Sequence, residues 1–267
     1  MKNPVCFWFW FAFVLPSWLL TAQQTATFTF MQQKDLVADQ YWGTDGSGQL
    51  YYSKGSTFFK QTAHKIFQYT TNSLGTISRV DVINPMRILL FFESTNTAIQ
   101  LDNQLNEMEQ MSFSNADSPL LVRYIGQSAQ NKLWVFDSLS QRWGLFDPLT
   151  NQFRALGLPI REAFTLLRSD FNAVYWLTTK GEIFQMDVFG ETKLLGQLPN
   201  KVSAVMLLTA NNILYKYEQT WMMFWTSTGN STPILWNENQ TENAFFYDNN
   251  LTIFTRSEWR QYQFKIK

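Results

Sequence analysis

Three short apolar segments follow one another near the middle of this chain of 267 residues: Leu133-Trp-Val-Phe-Asp137, Trp143-Gly-Leu-Phe-Asp147 and Gln152-Phe-Arg-Ala-Leu156. A fourth segment, Tyr124-Ile-Gly-Gln127, comes just before them, and Ser128-Ala-Gln-Asn131 separates it from the first. Aromatic and β-branched residues favour strands, whereas Ser, Asn and Gly between them favour tight turns. Residues 124–156 are therefore predicted to form four antiparallel strands joined by turns.

The next part of the chain repeats this plan. Its four segments are Leu166-Leu-Arg-Ser-Asp170, Val174-Tyr-Trp-Leu177, Glu182-Ile-Phe-Gln-Met186 and Thr192-Lys-Leu-Leu195. The two repeats also end alike, with Leu156-Gly-Leu-Pro159 and Leu195-Gly-Gln-Leu-Pro199. Such agreement indicates an internal repeat.

The repeat extends over most of the chain. Apolar strand cores begin near Leu50, Ile88, Leu133, Val174, Ile213 and Leu251, with gaps of 38, 45, 41, 39 and 38 residues. A period of about forty residues filled with strands is typical of propeller blades, because a single blade cannot bury both of its apolar faces. The sequence predicts an all-β fold, a six-bladed β-propeller.

The two ends of the chain predict how the ring closes. The last repeat supplies Ala244-Phe-Phe-Tyr247, Leu251-Thr-Ile-Phe254 and Gln261-Tyr-Gln-Phe-Lys265, and so lacks one strand. Thr25-Ala-Thr-Phe-Thr-Phe-Met31 is a strand pattern without a partner of its own. We expect this N-terminal strand to complete the last blade, which would remove two exposed edges at once.

The segment before that strand has the pattern of a secretory signal peptide. A short basic start is followed by the almost continuously apolar residues Cys6 to Leu20 and by a small residue, Ala22. A retained membrane anchor is the alternative, but about 15 apolar residues interrupted by Pro16 fall short of the roughly 20 that span a bilayer. We expect residues 1–22 to be removed, residues 23–267 to form a single propeller domain, and no transmembrane segment to remain.

Charge and residue usage limit the possible chemistry. Lys and Arg total 21, as do Asp and Glu, so no basic face for nucleic acid is expected. Cys6 is the only cysteine and would leave with the signal, which excludes disulfides and thiolate metal sites from the mature chain. His64 is the only histidine, so Ser-His-Asp catalysis would have to use it, and it lies in what reads as an exposed turn.

Carboxylates remain as candidate ligand-binding groups. Asp45, Asp170 and Asp248 follow the first strand of blades 1, 4 and 6, so equivalent positions would bring them to one face of the ring. A bound Ca²⁺ is the cofactor that such oxygens would suit, although Asp is also favoured in tight turns for backbone reasons alone. Otherwise no cofactor and no metal site are expected.

One aromatic segment is a candidate partner surface. Trp221-Met-Met-Phe-Trp225 combines two flexible sulfur-containing side chains with three aromatic rings. Such a surface would suit a protein partner, but the third strand of a packed blade would have the same composition.

A further stretch carries a resemblance. Arg79-Val-Asp-Val-Ile-Asn-Pro-Met-Arg-Ile-Leu-Leu-Phe-Phe92, followed by Ala98-Ile-Gln-Leu-Asp-Asn103, resembles a group of exported Bacteroidota proteins with a D-V-x-N-P-[LM]-[KR]-x-L-x-[FY] stretch. The resemblance implies an exported, β-propeller-like protein of the cell envelope and transfers no functional residue. With the last blade using the chain to its end, we expect a periplasmic or outer-membrane-associated protein.

Three functional hypotheses follow. The first is a non-enzymatic periplasmic scaffold, an accessory subunit of an outer-membrane complex that binds a protein on one rim. The second is a propeller hydrolase or lyase with a carboxylate-bound cation, and the third is a module that binds a glycan or envelope polymer through exposed Trp and Tyr. A protein partner recovered with the chain would favour the first.

Overall fold

The protein is a ring of six four-stranded antiparallel sheets, which confirms the predicted six-bladed β-propeller. A computed structural model describes residues 25–115, 119–236, 238, 243–255 and 257–266. The predicted signal peptide, residues 1–22, lies outside the described residues. No helix in these ranges is both long enough and apolar enough to span a membrane.

Each blade takes its strands in chain order, with one exception at the closure. Blade 1 contains β2 (Gln40–Thr44), β3 (Leu50–Lys54), β4 (Thr57–Gln61) and β5 (Ile66–Thr70). Blade 2 contains β6 (Arg79–Asp81), β7 (Ile88–Phe92), β8 (Thr97–Leu101) and β9 (Glu107–Ser112). Blade 3 contains β10 (Val122–Gln127), β11 (Leu133–Asp137), β12 (Arg142–Asp147) and β13 (Gln152–Ala155).

The second half of the ring repeats this arrangement. Blade 4 contains β14 (Phe164–Ser169), β15 (Ala173–Thr178), β16 (Glu182–Asp187) and β17 (Thr192–Gln197). Blade 5 contains β18 (Val202–Thr209), β19 (Asn212–Tyr217), β20 (Thr220–Trp225) and β21 (Asn230–Ile234). Blade 6 contains β22 (Asn243–Tyr247), β23 (Asn250–Phe254), β24 (Glu258–Ile266) and, from the other end, β1 (Ala26–Asp35). Single-turn 3-10 helices occur at Glu93–Thr95, Phe113–Asn115 and Ala129–Asn131.

The first strand of each blade lies on the inside of the ring. The inner strands β2, β6, β10, β14, β18 and β22 contact one another in succession, and β22 returns to β2. We call the face that carries the turns between first and second strands the upper face. Because neighbouring strands alternate in direction, equivalent turns of all blades reach this same face.

The N-terminal strand closes the ring, as the sequence predicts. β1 pairs antiparallel with β24 from Ala26 opposite Ile266 to Asp35 opposite Glu258, with a bulge after Phe30. Most side chains of β1 are exposed, so backbone hydrogen bonds make the largest part of this contact. Phe28 adds packing, because its ring centroid lies 4.9 Å from that of Trp236 and 5.3 Å from that of Phe264.

The core is divided among the junctions between blades. In the described part of the chain, six clusters of buried side chains occur, one at each junction of neighbouring blades. All five side chains of β7 are buried, and they alternate between the cluster shared with blade 1 and the cluster shared with blade 3. This two-sided burial explains why such strands are continuously apolar in sequence.

The closure predicts that the ring behaves as one cooperative unit. Removing the residues up to Asp35 from the mature chain should lower the free energy of unfolding by roughly 3 kcal/mol or more, since several backbone hydrogen bonds and the Phe28 packing are lost together. Urea unfolding followed by tryptophan fluorescence would measure this. Gln33→Thr, an exposed substitution in β1, is the matched control and should leave the midpoint unchanged; coincident midpoints for the truncated and intact chains would contradict the closure.

Candidate functional site

The largest cavity lies on the ring axis and has a volume of about 760 Å³. The inner strands of five blades line it, so it exists only when the ring is closed. Its wall combines aromatic, cationic and polar side chains, among them Trp42, Arg79, Arg168, Phe245 and Phe246. A large concave cavity with a few convergent polar groups is the usual form of a ligand site.

Two arginines face this cavity without a carboxylate partner. Arg168 donates from Nη1 to the backbone oxygen of Leu208 at 2.9 Å. Nε of Arg79 is shielded from solvent, and no described residue accepts a hydrogen bond from it. Burial lowers the pKa of the Arg79 guanidinium, while the nearby Asp81 charge opposes this shift. A buried cation without a hydrogen-bonded partner is costly, so this wall would gain from an acceptor.

Asp81 lies between the two arginines but is held by backbone groups. Its Oδ1 accepts from the Ile83 amide at 2.9 Å and its Oδ2 from the Gln127 amide at 2.7 Å. Burial raises the pKa of Asp81, and the two amide hydrogen bonds and the charges of Arg79 and Arg168 oppose that shift. The two carboxylate oxygens thus carry amide hydrogen bonds, and neither forms an ion pair with a guanidinium.

Gly126 allows this close packing at the inner end of blade 3. A Cβ atom at this position would lie 2.2 Å from Oγ of Ser169 and 3.2 Å from Oδ2 of Asp81. The absence of a side chain therefore lets the inner strands of blades 2, 3 and 4 converge beside the cavity.

The cavity wall also contains a structural ion pair. Oε2 of Glu238 accepts from Nη1 of Arg260 at 2.9 Å and from the Tyr262 hydroxyl at 3.1 Å. The backbone oxygen of Glu238 accepts from Nε1 of Trp221 at 2.9 Å. Glu258 binds the same guanidinium of Arg260. These contacts join the last strand of the ring to the link between blades 5 and 6.

The three predicted aspartates all lie on the upper face, but only two of them share a cavity. Asp170 and Asp248 border a smaller cavity of about 300 Å³, together with Arg168, Tyr175 and Asn249. Asp45 is buried in blade 1 and does not line this cavity. Within the described ranges, no three His, Cys, Asp or Glu side chains come together as a metal-binding group.

Asp45 and Asp170 cap the turns in which they lie. Oδ1 of Asp45 accepts from the amides of Ser47 and Gln49 at 2.9 and 3.1 Å, and its Oδ2 accepts from the Tyr51 hydroxyl at 2.7 Å. Burial and this hydrogen bond raise the pKa of Tyr51.

Blade 4 repeats this arrangement. Oδ1 of Asp170 accepts from the amides of Asn172 and Ala173, both at 2.9 Å. Burial, with the charge and hydrogen bonding of Asp170, raises the pKa of Tyr175 to about 12.

Asp248 differs from the other two because it is exposed and takes a left-handed backbone conformation with φ of 46°. The following residue, Asn249, has φ of 58°, and such pairs are typical of two-residue hairpin turns. Asp is favoured here because it tolerates this conformation.

The other two sequence candidates have structural positions. Trp221, Met223, Phe224 and Trp225 are buried in β20 and Met222 is half-buried, so the segment packs as the third strand of blade 5 and leaves no exposed face for a partner. The neighbouring blades cover it on both sides, which corrects its interpretation as a partner patch. His64 is exposed in the turn between β4 and β5.

An exposed apolar region occurs on blades 3 and 4 instead. A groove of about 600 Å³ runs between them, which we call the blade 3–4 groove; its wall contains Leu158, Pro159, Ile160, Trp176, Phe184 and Met186. Leu158 is 81% exposed beside it, and Phe189, next to the groove residue Gly190, is 85% exposed. Sequence analysis missed this groove; its only signal is apolar residues inside otherwise polar turns.

Comparisons with known proteins bear on the fold. No protein-family model and no curated protein matches the chain. Virginiamycin B lyase from Staphylococcus aureus is similar in structure, with a TM-score of 0.59 and 10% identity over 90% of this chain and 99% of that one. These likenesses show a β-propeller.

Two further solved structures are similar at the same level. A gluconolactonase from Xanthomonas campestris has a TM-score of 0.57 and 12% identity, over 84% of this chain and 86% of that one. PorZ from Porphyromonas gingivalis has a TM-score of 0.51 and 10% identity, over 84% of this chain and 32% of that one.

The hydrogen bonds of the upper face predict different roles for its three aspartates. Asp45→Asn should lower the free energy of unfolding by about 1–2 kcal/mol, because a buried carboxylate that accepts from Tyr51 is lost. Asp248→Asn should change it by less than about 0.5 kcal/mol, since Asn also tolerates the left-handed conformation. Urea denaturation of both variants would measure this, and equal effects at the two positions would contradict the assignment.

Proposed function

We propose that this protein is a non-enzymatic scaffold of the bacterial cell envelope that binds a protein partner through the blade 3–4 groove. The observation that supports this most is the exposure of Leu158 and Phe189 beside an apolar groove. Exposed apolar groups gathered at a groove are unfavourable in water and are typical of surfaces that a partner covers.

The composition of the groove also suits a protein partner. Trp176, Phe184 and Met186 give it an apolar floor, and Arg161, Glu162 and Lys180 give it a charged rim. An apolar centre with a polar rim is the usual anatomy of a protein interface. The partner's contact would then be an apolar side chain inserted beside Leu158.

Two further observations support the location in the envelope. The N-terminal sequence has the pattern of a signal peptide. PorZ, which shares the fold, is described as an essential bacterial surface component of the type IX secretion system. We propose a periplasmic or outer-membrane-associated location, possible to test by fractionation of host cells.

Affinity purification of the tagged full-length chain from its native host would test this function. The wild-type protein should recover a stoichiometric envelope partner, and Leu158→Asp or Phe189→Asp should lose most of it, because a carboxylate cannot be buried in an apolar contact. Both side chains are exposed, so the free energy of unfolding should change by less than about 0.5 kcal/mol.

Leu235→Asp is the matched control, since Leu235 is fully exposed in the linker after β21 in blade 5. It should retain the partner. A groove variant that recovers the same partner in the same amount as the wild type, or a wild-type chain recovered alone, would contradict the proposal.

A second candidate function is cation-dependent chemistry at the upper face. Asp170 and Asp248 share a cavity with the side chains of Thr209 and Asn249, which also offer oxygen atoms. Oxygen ligands of this kind suit Ca²⁺. Calorimetric titration of the mature protein with Ca²⁺ should then give saturable heat that Asp170→Asn and Asp248→Asn both abolish; absence of heat in the wild type would remove this candidate.

The glycan hypothesis would depend on an aromatic side chain that a sugar can reach. Six of the eight described tryptophans are buried, and Trp42 and Trp236 are half-buried. Trp42 lines the axial cavity, so a glycan could stack only by entering that cavity.

A further inference from the structure

The axial cavity has a charge arrangement that the protein-binding groove does not explain. Arg79 and Arg168 come from blades 2 and 4 and line the same cavity. In the described part of the chain, no carboxylate oxygen lies within 4.0 Å of either guanidinium. Two cations therefore share one enclosed space without an ion pair.

The nearest carboxylate does not neutralise them. Asp81 has both oxygens occupied by the amides of Ile83 and Gln127. Its single charge acts on both arginines from a distance, so the group of three carries a net positive charge. Nε of Arg79 stays without an acceptor. The guanidinium pair thus has unused hydrogen-bond donors and an uncompensated charge.

We propose that the axial cavity binds a small organic anion whose carboxylate lies between Arg79 and Arg168. The planar guanidinium group presents paired N–H donors that match the two oxygens of a carboxylate. This site goes beyond the proposed scaffold function, because it lies on the ring axis and not in the blade 3–4 groove.

The remaining wall of the cavity defines the rest of the ligand. Trp42, Phe245 and Phe246 supply flat apolar surfaces, and Leu166 adds an aliphatic one. A flat apolar body can stack on such rings while its carboxylate reaches the arginines. The volume of about 760 Å³ is sufficient for a ligand of drug-like size.

A pair of matched probes tests the charge requirement. The aromatic acid 4-iodobenzoate should bind the purified mature protein saturably in isothermal titration calorimetry, and the neutral 4-iodobenzamide should bind at least about tenfold more weakly, because charge-assisted hydrogen bonds are lost. Raised salt should weaken the acid and leave the amide unchanged.

Three variants locate the site. Arg79→Gln and Arg168→Gln should each weaken binding of 4-iodobenzoate by about tenfold or more. Asp81→Asn should strengthen it severalfold, since the repulsive carboxylate is removed while its shape is kept. Arg161→Gln removes an exposed arginine at the blade 3–4 groove and should leave the affinity unchanged.

Crystals soaked in 4-iodobenzoate give a readout that needs no variant. The anomalous iodine signal should lie in the axial cavity with the carboxylate between Arg79 and Arg168. The proposal is overturned if no saturable binding occurs, if acid and amide bind equally, or if Arg161→Gln and not Arg168→Gln weakens binding. Iodine found only in the groove would also overturn it.

Discussion

The backbone ladder between β1 and β24 is the contact on which the closed ring depends. It joins Ala26 to Ile266, the two ends of the described chain, and completes the sixth blade. Few side chains of β1 are buried, so hydrogen bonding rather than apolar burial provides most of the closure. Because its two strands lie more than 200 residues apart in sequence, this ladder pays the largest loop-closure entropy in the fold.

Closure determines both candidate binding surfaces. Each junction between blades has its own buried cluster, so the inner strands cannot shift independently without opening a cluster. The cavity on the axis is the space that these strands leave, and the desolvation of Arg79 and Arg168 is a consequence of their place in its wall. The blade 3–4 groove instead lies between two neighbouring blades, so it depends on their packing and not on the whole ring.

The sequence was sufficient for the architecture because a propeller repeats one local unit. The matched ends at Pro159 and Pro199, and the unpaired strand at Thr25 to Met31, predicted the blades and the closure. The aspartates were placed on the correct face, yet the turns in which Asp45 and Asp170 lie use their carboxylates as caps. A turn and a ligand site prefer the same residue type, so sequence alone could not separate them.

The two arginines could not be found in this way. Arg79 and Arg168 lie in strands whose neighbours in sequence are ordinary, and only the ring brings blades 2 and 4 to one cavity. The exposed Phe189 was missed for a related reason, because a single apolar residue in a turn is common and gains meaning only beside the groove. Side-chain direction on inner strands and proximity between blades are properties of the assembled ring.

Native-state hydrogen exchange tests the central claim that closure holds the ring as one unit. The hydrogen-bonded amides between β1 and β24 should open with the same free energy as those between β11 and β12 in blade 3, because both are released only by global unfolding. Exchange of the β1–β24 amides at a markedly lower free energy, while blade 3 stays protected, would contradict the account.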